Sequence, residues 1–250
     1  MNRSMYLLAL PYYYLPLYNK TMKHIILSKN IFLVVASLIV LFISAQTVVG
    51  QEPEYQIKIK TNQGSFTVKL YNETPLHRDN FLKLVSENAY NNLLFHRVIS
   101  NFMVQAGGAI RGNDSERYEH LTLRYHEMIP SEFRYPKYFH KRGALAAARK
   151  DDDVNPEKKS DPIEFYIVVG EFFLEKDLKR YESPENTMPL NVKETYMTQG
   201  GSPHLDNEYT VFGEVVDGYN TIEKISKREV DANNRPIKDI YIISTTILHK

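Results

Sequence analysis

The tract at residues 95–107 sets one cation and one amide among apolar side chains. It reads FHRVISNFMVQAG, with Arg97 and Gln105 close to Phe102 and Met103. An arginine supplies a permanent positive charge and several hydrogen-bond donors, and apolar neighbours can form a dry pocket beside it. Such a site stabilises a polarised group without a nucleophile, a metal or a proton relay. An isolated arginine in a strand is more often part of a surface ion pair, so other motifs must decide.

Other catalytic chemistries find little support. The absence of cysteine excludes disulfides, thiolate zinc sites and cysteine nucleophiles. Serine, histidine and aspartate are present, but no G-x-S-x-G or H-E-x-x-H motif arranges them. The acidic run at residues 151–153 is interpreted as a solvated turn, because it lacks the glycine and the distal glutamate of a calcium loop.

The tract at residues 95–107 is one of several motifs that occur in the same order in one known family. Residues 95–107 closely resemble the FHRVI-x-x-FM-x-Q-G-G signature of cyclophilin-type peptidyl-prolyl cis–trans isomerases. Further matches follow in order: GALAAA at 143–148 is similar to G-x-L-x-M-A, EFYI at 164–167 to Q-F-F-I, 205–215 to L-D-G-x-x-x-V-F-G-x-V, and 218–225 to the family's second helix. GGSPHLD at 200–206 resembles a bacterial subset with a long insert before that motif.

The resemblance implies a fold, an activity and a set of site residues. The fold is mainly β, a closed antiparallel eight-stranded barrel capped by two α-helices. The activity is isomerisation of X-Pro bonds, which needs no cofactor and no metal. Arg97 is implied as the catalytic residue, whose guanidinium would bond the prolyl carbonyl and approach the proline nitrogen. The implied substrate-binding residues are Phe102, Met103, Gln105, Ala148, Arg149, Glu164, Tyr166, Leu205 and Tyr209.

These residues match different parts of the family's site. The apolar walls of the proline pocket are matched by Phe102, Met103, Tyr166 and Leu205. Gln105 matches the glutamine that binds the substrate backbone and steadies the arginine. Ala148 and Arg149 match the strand edge along which the peptide backbone lies. His96 is expected to be structural. The core is expected to hold Phe95, Val98, Phe165 and Phe212.

Isomerisation of a prolyl bond makes limited demands on a site. No covalent bond breaks, but amide resonance sets a barrier of about 18–20 kcal/mol. Interactions made only in the twisted transition state raise turnover. One strong donor contributes about 3–4 kcal/mol, whereas a hundred-thousand-fold acceleration needs about 7 kcal/mol. One arginine is therefore not enough, and the pocket must supply the rest.

The sequence departs from the family pattern around the pocket. Glu164 stands where the family has glutamine, and its carboxylate could pair with Arg97 and either position it or weaken its field. Tyr209 replaces the pocket histidine, and Tyr166 replaces phenylalanine. His204 stands in place of a tryptophan associated with cyclosporin binding, so tight binding of that drug is not expected. Residues 106–108 read Ala-Gly-Gly instead of G-G-D, which removes an acid at a turn.

Short strands and two helices must position these residues. Alternating residues predict a hairpin of strands at 55–60 and 65–70. Further strands are predicted at 94–99, 102–105, 144–148, 165–169, 210–216 and 237–248. Thr74 and Pro75 predict the start of a helix, and Asn220 with Glu223 predicts a capping box on a second helix. Residues 112–142 and 170–199 fit this scheme poorly and are predicted to be surface insertions.

The N-terminal residues differ from the rest in charge and hydropathy. Residues 1–50 hold four basic residues and no acidic one, so residues 51–250 carry 27 basic against 30 acidic groups. This balance argues against a nucleic-acid partner. Residues 31–43 are apolar except for Ser37, and basic residues precede them. We interpret residues 1–50, in which Met22 could be the true start, as a leader with a signal peptide; an uncleaved membrane anchor stays open.

These features predict an isomerase domain at residues 51–250 in an exported protein, in the periplasm or cell envelope. Its expected partners are proline-containing segments of exported proteins, with membrane contact only through the N-terminal segment if that is not cleaved. We expect a monomer. A second function stays open, in which a proline-peptide binding or chaperone module of the cell envelope holds its partners without catalysis.

Overall fold

A computed structural model describes residues 53–183 and 187–249. The strands are β1 Gln56–Thr61, β2 Gly64–Leu70, β3 Leu93–Ile99, β4 Met103–Ile110, β5 Ala144–Ala147, β6 Phe165–Val168, β7 Val211–Asp217 and β8 Ile242–His249. The α-helices are α1 Pro75–Ser86, α2 Ser115–Arg124, α3 Glu175–Leu178, α4 Leu190–Thr198 and α5 Tyr219–Ser226. Short 3₁₀ turns cover Arg111–Asn113, Lys179–Tyr181 and Pro203–Leu205.

The strands form one antiparallel sheet in the order β3-β4-β6-β5-β7-β2-β1-β8. The predicted strand number and direction are confirmed, but the closure is looser than a continuous barrel. Between β3 and β8, an isolated bridge joins Leu94 to Tyr241. The Asn92 and Phe95 N–H groups donate to the carbonyls of Ile242 and Ile240, each at 2.8 Å. The sheet is therefore a curled half-barrel joined at its seam by single contacts, and β8 begins at Ile242, later than the predicted 237.

Two layers of side chains follow from the period of two along the central strands. The inner face carries the main core, including Val104, Ala106, Leu145, Phe165 and Ile167. The core also holds Phe95, Val98 and Phe212, as predicted. The outer face carries a second, smaller cluster, including Met103, Ala144, Ala146, Ala148 and Tyr166. The alanines of β5 leave space on this outer face.

Two helices cover the core as predicted, and the predicted start of α1 is confirmed, whereas that of α5 differs. Helix α1 has Thr74 at its N-cap and buries Phe81, Leu84 and Val85, yet the Thr74 side chain makes no capping bond. In α5, Ile222 and Ile225 are buried and the N-cap is Gly218 at φ 75°, without a side-chain cap. The prediction of a capping box from Asn220 and Glu223 is therefore wrong.

The segments predicted as insertions have structure of their own. Helix α2 lies in the first segment, and α3 and α4 lie in the second. The second segment has a small core formed by Phe173, Leu178, Met188, Val192 and Tyr196. The predicted leader at residues 1–50 lies outside the described residues and stays a prediction. Within residues 53–183 and 187–249, no helix is long and apolar enough to cross a membrane.

Candidate active site

A cleft of about 330 Å³ opens on the outer face of β4, β5 and β6. Its lining comprises Arg97, Phe102, Met103, Gln105, Ala148, Arg149, Asp151, Tyr166, Leu205 and Tyr209. The structure thus brings the predicted site residues together with one exception, Glu164. The elements that supply them are far apart in sequence, and the sheet pairing joins them: Gln105 pairs with Arg97 on one side and with Tyr166 on the other.

A β-bulge directs Arg97 into this cleft. Phe95 pairs with Ala106 and Arg97 pairs with Gln105, so two steps along β3 match one step along β4. In a regular strand, residues 95 and 97 would point to the same face. The extra residue at His96 reverses the alternation, so Phe95 and Val98 face the core while Arg97 faces the cleft. The bulge thus places Arg97 on the opposite face from Phe95, two residues before it.

Behind Arg97, a chain of polar side chains crosses the sheet. The Arg97 Nη1 donates to Gln105 Oε1 at 3.4 Å, and Gln105 Nε2 donates to Glu164 Oε2 at 2.7 Å. Glu164 thus bonds Gln105 rather than Arg97 and is absent from the cleft lining, so its predicted place in the substrate-binding set stays a prediction. Burial opposes ionisation of Glu164, but hydrogen bonding from His96 and Gln105 outweighs burial and lowers its pKa.

The opposite wall is held by a second polar network. Tyr166 Oη lies 3.1 Å from His140 Nε2, and His140 Nδ1 lies 2.9 Å from Asp206 Oδ1. Because a carboxylate only accepts, Nδ1 carries the proton and Nε2 accepts from the tyrosine. Tyr196 from α4 donates to Asp206 Oδ2 at 2.6 Å. The hydroxyl that distinguishes Tyr166 from phenylalanine is therefore fixed by His140, a residue that no sequence pattern marked.

The rim of the cleft is polar, and hydrogen bonds within the chain hold several of its groups in place. Arg149 donates from Nε to the Glu208 carbonyl at 2.7 Å, and its guanidinium lies 4.6 Å from the Tyr209 ring centroid. Its side chain is only 5% exposed, so it supports Tyr209. The Ala148 N–H donates to the Glu164 carbonyl, and the Ala148 carbonyl accepts from the Asp161 N–H, so both main-chain groups of Ala148 have partners within the chain. Asp151 also lines the cleft, and residues 151–153 are exposed at a turn, as predicted.

Two histidines, His96 and His204, lie near the cleft but are not part of its lining. His96 accepts from the Gly108 N–H at Nδ1, at 3.1 Å, in keeping with the structural role expected for it. His204 lies beside Phe102, with ring centroids 5.3 Å apart, outside the cleft lining. In the described part of the chain, no group of three or more histidine or acidic side chains is arranged to hold a metal ion. The cleft combines apolar side chains, such as Met103 and Leu205, with the donor groups of Arg97.

Comparison with known proteins assigns this fold and cleft to a class. The family model described as "Cyclophilin type peptidyl-prolyl cis-trans isomerase/CLD" matches residues 56–247. A protein of Staphylococcus epidermidis named as a peptidyl-prolyl cis–trans isomerase is 30% identical over 207 residues, which cover 79% of this chain and 93% of that protein. A Streptococcus pyogenes protein named as a bifunctional phosphatase and peptidyl-prolyl cis–trans isomerase is 31% identical over 75% of this chain and 37% of its own length. The chain belongs to the cyclophilin-type family, whose enzyme class is peptidyl-prolyl cis–trans isomerase.

Solved structures agree on the fold. The crystal structure of a cyclophilin-type isomerase from Cryptosporidium parvum matches with a TM-score of 0.55 and 22% identity, over 79% of this chain and 99% of that one. A second structure of that protein, determined in the presence of the dipeptide Ala-Pro, matches with the same score. At this level of identity the likeness concerns the fold alone.

Proposed function

We propose that this chain isomerises X-Pro bonds of exported proteins and that Arg97 is its catalytic residue. One observation carries the proposal: the bulge at His96 places the only arginine of β3 against an apolar wall that includes Met103, Leu205 and Tyr166. A proline ring needs an apolar wall, and the twisted amide needs a donor beside it. Both lie in one cleft of about 330 Å³.

The proposed mechanism uses binding and electrostatics only. The proline ring packs on Phe102, Met103 and Leu205, and the Arg97 guanidinium donates to the prolyl carbonyl. As the bond twists, the lone pair localises on the proline nitrogen, and the positive charge of Arg97 stabilises it there. Gln105 holds the guanidinium in place through its amide oxygen. Because Met103 and Leu205 are buried, water is excluded from the side of the ring that they contact.

The choice of exported proteins as substrates rests on the N-terminal sequence. An apolar stretch at residues 31–43 follows basic residues, a pattern typical of a signal peptide. Secreted chains fold after export, and slow X-Pro isomerisation limits folding on the scale of tens to hundreds of seconds. An isomerase on the same side of the membrane would shorten that step.

The decisive experiment measures cis–trans exchange of a short X-Pro peptide by NMR with the full chain. Wild type should accelerate exchange, and Arg97→Ala should lower the acceleration about 100-fold or more, as expected for loss of a transition-state donor. Arg235→Ala is the matched control, since Arg235 pairs with Asp239 at the surface and should leave the rate unchanged. A wild type that binds the peptide without accelerating exchange would replace the isomerase with the proline-peptide binding module.

A further inference from the structure

The polar chain behind Arg97 contains a charged residue that the chemistry itself does not require. Glu164 precedes β6 and lies behind the cleft, and its Oε2 accepts from Gln105 Nε2 at 2.7 Å. The same oxygen lies 3.6 Å from His96 Nε2. Because the Gly108 N–H donates to His96 Nδ1, the proton of a neutral His96 is on Nε2 and points toward Glu164. The carboxylate thus accepts a hydrogen bond from Gln105 of β4 and lies near the His96 ring of β3.

An ionised carboxylate fixes the direction of the Gln105 amide. A carboxylate only accepts and a guanidinium only donates, whereas an amide does both. Gln105 must therefore turn its NH₂ toward Glu164 and its oxygen toward Arg97, which is the orientation observed. A glutamine at position 164 could accept or donate, and either orientation of Gln105 would then find a partner. We propose that Glu164 is a positioning residue for Arg97, acting through the amide of Gln105.

The glycine at position 108 is a second, independent observation on the Glu164 carboxylate, because a larger residue there would collide with it. A Cβ at residue 108 would lie 2.6 Å from both Cε1 and Nε2 of His96 and 2.7 Å from Glu164 Oε1. The Glu164 carboxylate thus occupies the space into which a side chain at 108 would project. The absence of a side chain at residue 108 therefore leaves room for the Glu164 carboxylate beside Gln105 and His96.

The inference rests on the proposed function, and its first test is kinetic. In the full chain, Glu164→Ala should lower kcat for peptide exchange about tenfold while KM stays within about twofold, because small displacements of a catalytic group cost rate rather than binding. Gly108→Asp should lower kcat at least as much, since the new side chain would displace His96 and face Glu164.

A second readout does not depend on turnover. The Arg97 Nε–H signal, assigned by its loss in Arg97→Ala, should broaden in Glu164→Ala while that of Arg235 does not change. Wild-type kcat in Glu164→Ala, or an unchanged Arg97 signal in that variant, would overturn the inference. A wild type without activity would refute the proposed function, and the Arg97 signal would still decide the positioning role.

Discussion

Two buried histidines in different regions of the molecule, His77 and His140, each lie between a carboxylate and a hydroxyl group. His77 in α1 lies 2.8 Å from Glu132 Oε2 through Nδ1 and 2.9 Å from the Ser160 hydroxyl through Nε2. His140 lies between Asp206 and the Tyr166 hydroxyl in the same order. In both, the carboxylate also accepts the backbone N–H of its histidine.

The two networks differ in what surrounds the hydroxyl. Ser160 is 1% exposed, and the cavity beside His77 measures about 10 Å³, room for one water at most. Tyr166 is also buried, but its ring forms a wall of the cleft. The serine, histidine and carboxylate at the first site have the connectivity of a hydrolytic triad, yet no substrate could reach them. The hydrogen-bond pattern of such a network therefore does not by itself define a catalytic site, because a substrate must also be able to reach the hydroxyl.

The first network performs a structural task instead. Glu132, from the segment after α2, accepts the N–H groups of Leu76 and His77 at 3.2 and 3.0 Å. These are unpaired donors of the first turn of α1, where an acidic group is favoured. The cap that the Thr74 side chain does not supply thus comes from a residue more than 50 positions away in the chain. The second network joins α4 to the cleft wall through Tyr196 and Asp206.

The largest effect should come from removing the carboxylate of the first network. Glu132→Ala leaves His77 and two backbone donors without their acceptor, so the free energy of unfolding should fall by about 3–5 kcal/mol, measured by urea denaturation. Peptide exchange by the protein that remains folded should stay within about twofold of wild type. Glu157→Ala, at an exposed ion pair with Lys159, is the control and should change stability little.

The pH dependence of stability gives a further check on Glu132. Burial opposes its ionisation, but hydrogen bonds from the His77 side chain and from backbone N–H groups outweigh burial, so its pKa lies below the ordinary value of 4.5. A lowered folded-state pKa means that the stabilisation is complete above the unfolded value and is lost as the pH falls through the folded one. The stability difference between wild type and Glu132→Gln should therefore shrink below about pH 4.5. A difference independent of pH would exclude an ionised Glu132.

A smaller effect should separate the two networks by function. Ser160→Ala and Tyr166→Phe delete the same group, the hydroxyl that faces a buried histidine Nε2. Each should lower the free energy of unfolding by about 1–3 kcal/mol, because the ring nitrogen loses its partner. Only Tyr166→Phe should also lower kcat for peptide exchange, by about two- to fivefold, since only Tyr166 touches the cleft. Equal rates for the two variants would remove the functional distinction between the networks.

Local patterns predicted most of the strands, because alternating residues mark the hairpin of β1 and β2 and short β-like runs mark the others. Met103 and Gln105 were assigned to the site only through the family resemblance. The bulge at His96 could not be predicted in this way, because no residue type or local pattern marks a one-residue shift in register. Arg97 was assigned to the cleft only through the family resemblance, and the structure supplies the physical reason.

The two histidine networks could not be predicted from the sequence at all. His140 and Asp206 are 66 residues apart, and His77 and Glu132 are 55 apart. Neither pair forms a spacing that a helix or strand would bring together. Glu164 shows a related difficulty: the sequence placed a carboxylate near Arg97, but only the geometry of the Gln105 amide shows that the two are linked rather than paired.

The smallest effect is expected at the start of α5, where a local pattern failed. Asn220 is exposed, and α5 begins at Tyr219 after its N-cap Gly218, whose φ of 75° suits glycine. A Cβ on Gly218 would lie 2.5 Å from the Ser65 carbonyl oxygen, so the tight approach of β2 fixes the helix start before Asn220 can act as a cap. Glu223 bonds Arg142 instead. Asn220→Ala should therefore change the free energy of unfolding by less than about 0.5 kcal/mol. A loss of about 1 kcal/mol, as for a true N-cap, would show that Asn220 caps α5 in solution and that the contrast with the Glu132 cap of α1 is weaker than the structure indicates.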